Sequence, residues 1–153
     1  MQNLRMVFVG GLIGAGAVAI VTALSAAQGG VSPQAINLPG RTTTALFSDA
    51  VLVGDTLYLS GRLGLEGGEV PATPEQEVHN VLDDMQRVLS EANMTMDDLV
   101  QVQVFCSDVA FYGIFNEVYL TYFGNSPPAR AFIGSGNLLF DARFEVMGVA
   151  VRN

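Results

Sequence analysis

Hydrophobic and polar positions divide the chain into a uniform apolar run at the start and a series of periodic segments after it. From Met6 to Ala27 no charge occurs, 22 residues against the roughly 20 that cross a bilayer core as a helix. Further on, Ala50–Val53 and Thr56–Gly61 are two β-prone runs joined by Gly54-Asp55, the signature of a tight hairpin. A helix is predicted from Pro74. Thr73 stands at its N-cap, Gln76 at the capping-box position, and Val78, Val81, Leu82, Met85, Val88, Leu89 and Ala92 share one stripe. Val100, Val102 and Val104 alternate with Gln101 and Gln103, predicting a strand with one apolar and one wetter face. Asp108 opens a second helix with a stripe of Phe111, Ile114, Phe115, Val118, Tyr119, Tyr122 and Phe123, closed by Gly124 and Pro127. Strands over 131–134 and 143–151 complete the series.

The order hairpin, helix, strand, helix, two strands predicts an α+β fold, a mixed sheet with both helices on one face, preceded by the N-terminal hydrophobic helix. The other sheet face then needs a cover, and a second subunit is the economical one. Residues 1–30 read as a membrane anchor or signal peptide, 31–40 as a linker or extended lead-in strand, and 41–153 as the domain.

Arg5 is the sole charge before the apolar run, which keeps the N-terminus cytoplasmic and places the domain on the extracytoplasmic, periplasmic side. Small residues at Ser25, Ala26 and Ala27 fit a cleaved signal. The length of the run, with Gly10, Gly14, Gly11, Ala15 and Ala19 on close-packing spacings, fits a retained anchor.

Composition narrows the partners. Seven Arg and no Lys stand against fifteen acidic residues, a net charge of -8 that offers no basic surface to nucleic acid. Cys106 is the single cysteine and His79 the single histidine. An intrachain disulfide and a cysteine-cluster zinc site are excluded, and no metal site is expected. Cys106 reads as a buried small hydrophobe and His79 as a surface or interface residue.

Pro127-Pro128-Ala129-Arg130, Phe144-Glu145-Val146, Phe47-Ser48-Asp49 leading to Leu59-Ser60-Gly61, Asn116-Glu117-Val118-Tyr119 and Gly148–Arg152 occur in an order and spacing that resembles the RidA/YjgF family of reactive-intermediate deaminases over about 34–153. The resemblance implies a chorismate-mutase-like fold, a homotrimer with ligand clefts between subunits, and hydrolysis of enamines and imines to 2-keto acids and ammonia without cofactor or metal. It also implies roles. Arg130 would hold a substrate carboxylate through the two parallel hydrogen bonds that a planar guanidinium offers. Glu145 would orient or deprotonate the attacking water. Ser60 and Gly61 would floor the cleft, with Asn116 nearby.

Each role has a plainer counterpart: an ion pair for Arg130, a solvent-facing strand position for Glu145, a turn for Ser60-Gly61, and a local backbone bond for Asn116. Three departures from the family pattern stand out. Phe47 replaces a usual Tyr, Phe132 a frequent Cys, and the loop 134–141 is about two residues longer. A more apolar, differently lidded cleft is expected, suited to a bulkier or more hydrophobic carboxylate. A non-catalytic subunit of a membrane complex is the competing expectation.

Overall fold

The computed structural model describes residues 31–41, 46–124 and 126–152. Six strands form one sheet: β1 (Gln34–Ile36), β2 (Ala50–Val53), β3 (Thr56–Leu63), β4 (Leu99–Cys106), β5 (Ala129–Gly134) and β6 (Phe144–Val151). Their spatial order is β1-β2-β3-β6-β4-β5, with β4 and β5 parallel and every other pair antiparallel. The helices are α1 (Pro74–Glu91) and α2 (Tyr112–Tyr119). The stretch read as linker or lead-in contains β1, which pairs with β2 from Gln34 to Ile36. The apolar run 6–27 lies outside the described residues. Among the described residues no helix is long and apolar enough to cross a membrane.

The predicted stripe of α1 is the centre of the core. Val78, Val81, Leu82, Met85, Val88 and Leu89 are fully buried, alongside Leu57, Val102, Val104, Phe144, Val146 and Ala150 of the sheet. Each such side chain contributes about 1.5–3 kcal/mol of transfer free energy. The Thr73 hydroxyl accepts from the Gln76 amide at 3.3 Å. The capping box is not closed, because the Gln76 side chain turns forward and donates to Asn80 Oδ1 at 2.8 Å. Asn93, at φ 55, ends the helix with Met94 N–H returning to Leu89 O.

Two expectations are corrected. Val100 does not share a face with Val102 and Val104. The register of β4 against β6 shifts between Leu99 and Gln101, and the bulge leaves Val100 48% exposed. The second helix is shorter than its stripe: a 3₁₀ turn at Val109–Phe111, α2 itself, then another 3₁₀ turn at Leu120–Tyr122. Asp108 caps the first of these turns through the Ala110 amide.

Two carboxylates are buried. Glu77 accepts from the Arg143 and Phe144 amides at 2.7 and 3.1 Å and pairs with the Arg143 guanidinium at 2.8 Å, tying the start of α1 to the start of β6. Asp49 pairs with Arg41 and Arg62 and accepts from the Leu38 amide at 2.9 Å. Burial alone would raise its pKa, but the Leu38 amide and the Arg62 and Arg41 guanidinium groups outweigh it and hold the carboxyl below the usual value.

The sheet face away from the helices carries Tyr58, 51% exposed, and a shallow groove lined by Gln101, Gln103, Met147, Gly148 and Val149. The glutamines of β4 therefore belong to the uncovered face, as their alternation predicts.

Candidate active site

Strand parity decides where the two principal candidates point. In β5, Arg130 pairs with Val102 and Phe132 with Val104. Both valines are fully buried toward the helices, so Arg130 and Phe132 lie on the helix side. In β6, Glu145 sits between buried Phe144 and Val146, so it points to the opposite, uncovered face. Strand β4 separates the two strands. Within one chain Arg130 and Glu145 therefore lie on opposite faces of the sheet.

Arg130 lines a cavity of about 360 Å³ with Tyr112, Asn116, Tyr119, Leu120, Pro127 and Pro128. Its Nη2 donates to Asn116 Oδ1 at 2.7 Å, so Asn116 orients the guanidinium across α2 and β5 rather than bonding its own backbone. The guanidinium carbon lies 4.5 Å from the Tyr119 ring centre and 5.9 Å from those of Tyr112, Phe115 and Phe132. Among the described residues no carboxylate pairs with Arg130. Among the described residues the guanidinium is thus a caged cation with one side-chain hydrogen bond, to Asn116. The Tyr119 hydroxyl is buried beside it without a hydrogen-bond partner, and burial pushes its pKa up to about 12 against the opposing pull of Arg130.

Phe132 lines neither this cavity nor the one around Glu145. Its ring meets Tyr112 and Phe115 edge-on, at centroid distances of 5.0 and 5.4 Å. The expected cleft residue is part of the scaffold beneath Arg130.

Glu145 lines a second cavity, about 550 Å³, with Phe47, Ser60, Gly61, Leu63, Leu139 and Phe140. A bulge builds it. Register between β3 and β6 shifts between Leu59 and Arg62, so Ser60 and Gly61 interrupt the ladder. The bulge turns Arg62 toward Asp84 on α1 and sets Leu63 beside Glu145 on the uncovered face. Gly61 leaves room for the carboxylate, because a Cβ there would run into Glu145 Oε1 and push the side chain aside. Ser60 is already committed: its amide donates to Asp49 O at 3.0 Å and its hydroxyl to Ser48 O at 2.7 Å. Its amide and hydroxyl protons are thus engaged, and its carbonyl and hydroxyl oxygens remain as acceptors for a ligand.

Three further residues line it, two of them from the 134–141 loop that the sequence marks as longer. Leu63 gains its place from the bulge, and Leu139 and Phe140 sit in the loop before β6. Phe140 and Asp141 adopt φ 59 and 58, a conformation rare for bulky side chains. Arg41 is a further supporting residue, lying 4.8 Å from the Phe47 ring centre and donating to Phe47 O at 2.6 Å.

Cys106 is buried, its Sγ 2.9 Å from Asp108 O, and burial raises its pKa, which fits a packing role. His79 is exposed and meets the Tyr122 hydroxyl at 2.9 Å, while that hydroxyl donates to Asp83 at 2.7 Å. Among the described residues no cluster of His, Cys, Asp and Glu is arranged to hold a metal ion.

Comparison with known proteins agrees with this geometry. The family model described as Endoribonuclease L-PSP matches residues 39–152. A "RutC family protein" of Saccharolobus solfataricus is 33% identical over 110 residues, 70% of this chain and 87% of that one. A "2-iminobutanoate/2-iminopropanoate deaminase" of Rattus norvegicus is 33% identical over 109 residues, 69% of this chain and 80% of that one. The crystal structure of RidA from a Psychrobacter species superposes with a TM-score of 0.72 at 24% identity, over 78% of this chain and 99% of that one, a likeness of fold. With the family model spanning most of the domain, and relatives matched over two thirds of the chain, the protein belongs to the RidA/YjgF family, the Endoribonuclease L-PSP family.

Proposed function

We propose that the protein hydrolyses the C=N bond of 2-imino acids, or of their enamine tautomers, in a site that two copies of the chain complete together. The observation that carries this reading is the division of the candidate residues. A caged arginine without a carboxylate partner among the described residues lines one cavity, and a glutamate lines another on the opposite sheet face. In a cyclic homotrimer each interface joins two different surfaces, so one copy's Arg130 can face the next copy's Glu145. The uncovered face with Tyr58, Gln103 and Val149 supplies the apolar and polar area for such contacts.

In this reading Arg130, oriented by Asn116, binds the carboxylate through its remaining donors. Glu145 accepts a proton from water as the water oxygen bonds to the imine carbon. The proton passes from Glu145 to the imine nitrogen to give the carbinolamine; transfer of its hydroxyl proton to nitrogen then accompanies cleavage of the C–N bond, releasing ammonia and a 2-oxo acid with Glu145 ionised again. No step needs an electron acceptor or a metal ion. The net charge of -8 argues against an RNA substrate despite the wording of the family description.

Generating imines from amino acids with an amino-acid oxidase, and following the 2-oxo acid with and without the protein, tests the reading. An enhancement lost in Arg130→Ala supports it. Equal rates for both proteins would exclude it.

The apolar run 6–27 further suggests that the domain works on the extracytoplasmic side, anchored or released after cleavage. N-terminal sequencing of the mature chain decides between the two. The small-residue positions Gly10, Gly14, Gly11, Ala15 and Ala19 favour a second reading, a subunit of a membrane complex. Stoichiometric co-purification from detergent with other membrane proteins would support it, and recovery of the chain by itself would count against it.

A further inference from the structure

Away from Glu145 and the Ser60-Gly61 backbone, the walls of the second cavity are hydrocarbon. Phe47, Leu63, Leu139 and Phe140 supply them, and three of these are unusually exposed: Phe47 57%, Leu139 69% and Phe140 68%. Single exposed apolar side chains are ordinary, but three on the rim of one cavity make a patch of the kind that binds ligands. The rim is also held in place. Arg41, itself paired with Asp49, stacks on the Phe47 ring and bonds its carbonyl. At the other side the chain keeps Phe140 and Asp141 in the left-handed region, a strained arrangement typical of functional loops. Donors are few, because the Ser60 hydroxyl proton is given to Ser48 O.

We propose that this cavity receives the side chain of a 2-imino acid, and of its 2-oxo product, bearing a large apolar or aromatic group, and that Phe47 and Phe140 set this preference. The inference rests on the imine-hydrolase reading for the identity of the head group. A methyl or ethyl side chain would leave Leu139 and Phe140 against water, and a cavity of about 550 Å³ mostly unfilled. A benzyl or isobutyl group would cover them, removing apolar area from water on both partners. The polar end of the same cavity keeps the reacting carbon beside Glu145.

Calorimetry on the full chain with 3-phenylpyruvate, 4-methyl-2-oxopentanoate and pyruvate reads the preference without requiring turnover. Tighter binding of 3-phenylpyruvate than of pyruvate by about 10-fold or more is expected, the scale of one or two methylenes in an apolar pocket or above. Phe140→Gly removes the ring, and glycine suits φ 59, so this variant folds with less strain than the parent. It should shrink the ratio toward one, the loss falling on the large ligand, as should Phe47→Ala. Equal affinity for pyruvate and 3-phenylpyruvate, or binding of neither, would overturn the inference. So would a change of sedimentation in Phe140→Gly, which would assign Phe140 to a subunit contact. Selective binding without any hydrolysis of the matching imines would leave the cavity inference standing and remove the catalytic reading. Hydrolysis of alanine- and phenylalanine-derived imines at equal kcat/KM would do the reverse.

Discussion

The Arg130 cavity and the Glu145 cavity are built by opposite means. Around Arg130, one cation is enclosed by four aromatic rings and oriented by a single amide, all on the helix side of the sheet. Around Glu145, one carboxylate lies over a glycine in a bulge, with an exposed apolar rim on the uncovered side. The first is chemically suited to hold an anion and lacks a base. The second has a base and apolar walls but lacks a cation to hold a carboxylate. A single copy therefore carries two incomplete sites, which the proposed trimer would join into a complete one.

The largest expected effect falls on the acid half. Glu145→Gln keeps shape and removes the proton acceptor, so imine hydrolysis should drop about 10²- to 10⁴-fold while carboxylate binding persists. Retained hydrolysis would show that Glu145 only shapes the cavity. On the cationic half, Arg130→Lys keeps the charge but loses the planar fork, and about 10- to 100-fold weaker binding of 2-oxo acids is expected by calorimetry. Binding unchanged in that variant would mean that the cage provides only a diffuse field.

Buried acids support the Glu145 half specifically, and this sharpens the contrast. Glu77→Ala orphans Arg143 and the two amides that begin β6, one residue before Glu145, at a cost of about 3 kcal/mol in urea unfolding. The Arg130 cage shares no hydrogen bond with Glu77. Asp49 anchors Arg41 and hence the Phe47 rim. Its carboxyl titrates lower in the folded than in the unfolded chain, so the unfolded state takes up the proton first as pH falls. The stabilisation is present above the unfolded value of about 3.9 and is lost progressively below it. Asp49→Asn should flatten the fall of unfolding free energy with acidification. An unchanged slope would assign acid sensitivity to other carboxyls.

Much of this architecture was legible in residue order. The α1 stripe was clear because every third or fourth position is apolar over five turns, and Thr73-Pro74 marks its start. The hairpin was clear because Gly54, at φ 61, accepts the turn that a side chain resists. Val100 was misplaced because alternation assumes an unbroken ladder, and a bulge is a tertiary feature of the pairing with β6. The second helix was overextended because aromatic burial continues through 3₁₀ turns as readily as through α-helix.

The site was legible residue by residue but not as an arrangement. Family motifs marked Arg130, Asn116, Glu145 and Gly61, and each of these lines one of the two cavities. Their division was hidden, because the face of a strand residue depends on which strand lies beside it and in what register. Phe132 shows the same limit: it differs from the family pattern, yet its ring supports Arg130 from below. The longer 134–141 loop marks a different lid, but loop residues carry no periodicity, so which of its side chains rim the cavity depends on the fold.

In the proposed site Arg130 of one copy meets Glu145 of another, and co-expression of two inactive variants tests that most directly. Arg130→Ala and Glu145→Gln, produced together with different affinity tags and purified through both, form mixed oligomers. If the site is shared, some interfaces pair an intact Arg130 with an intact Glu145. Activity should then return to about one third of the unmutated level, since in a mixed trimer of either 2:1 composition one interface of the three joins an intact Arg130 to an intact Glu145. Mixed oligomers as inactive as either parent would contradict the shared site.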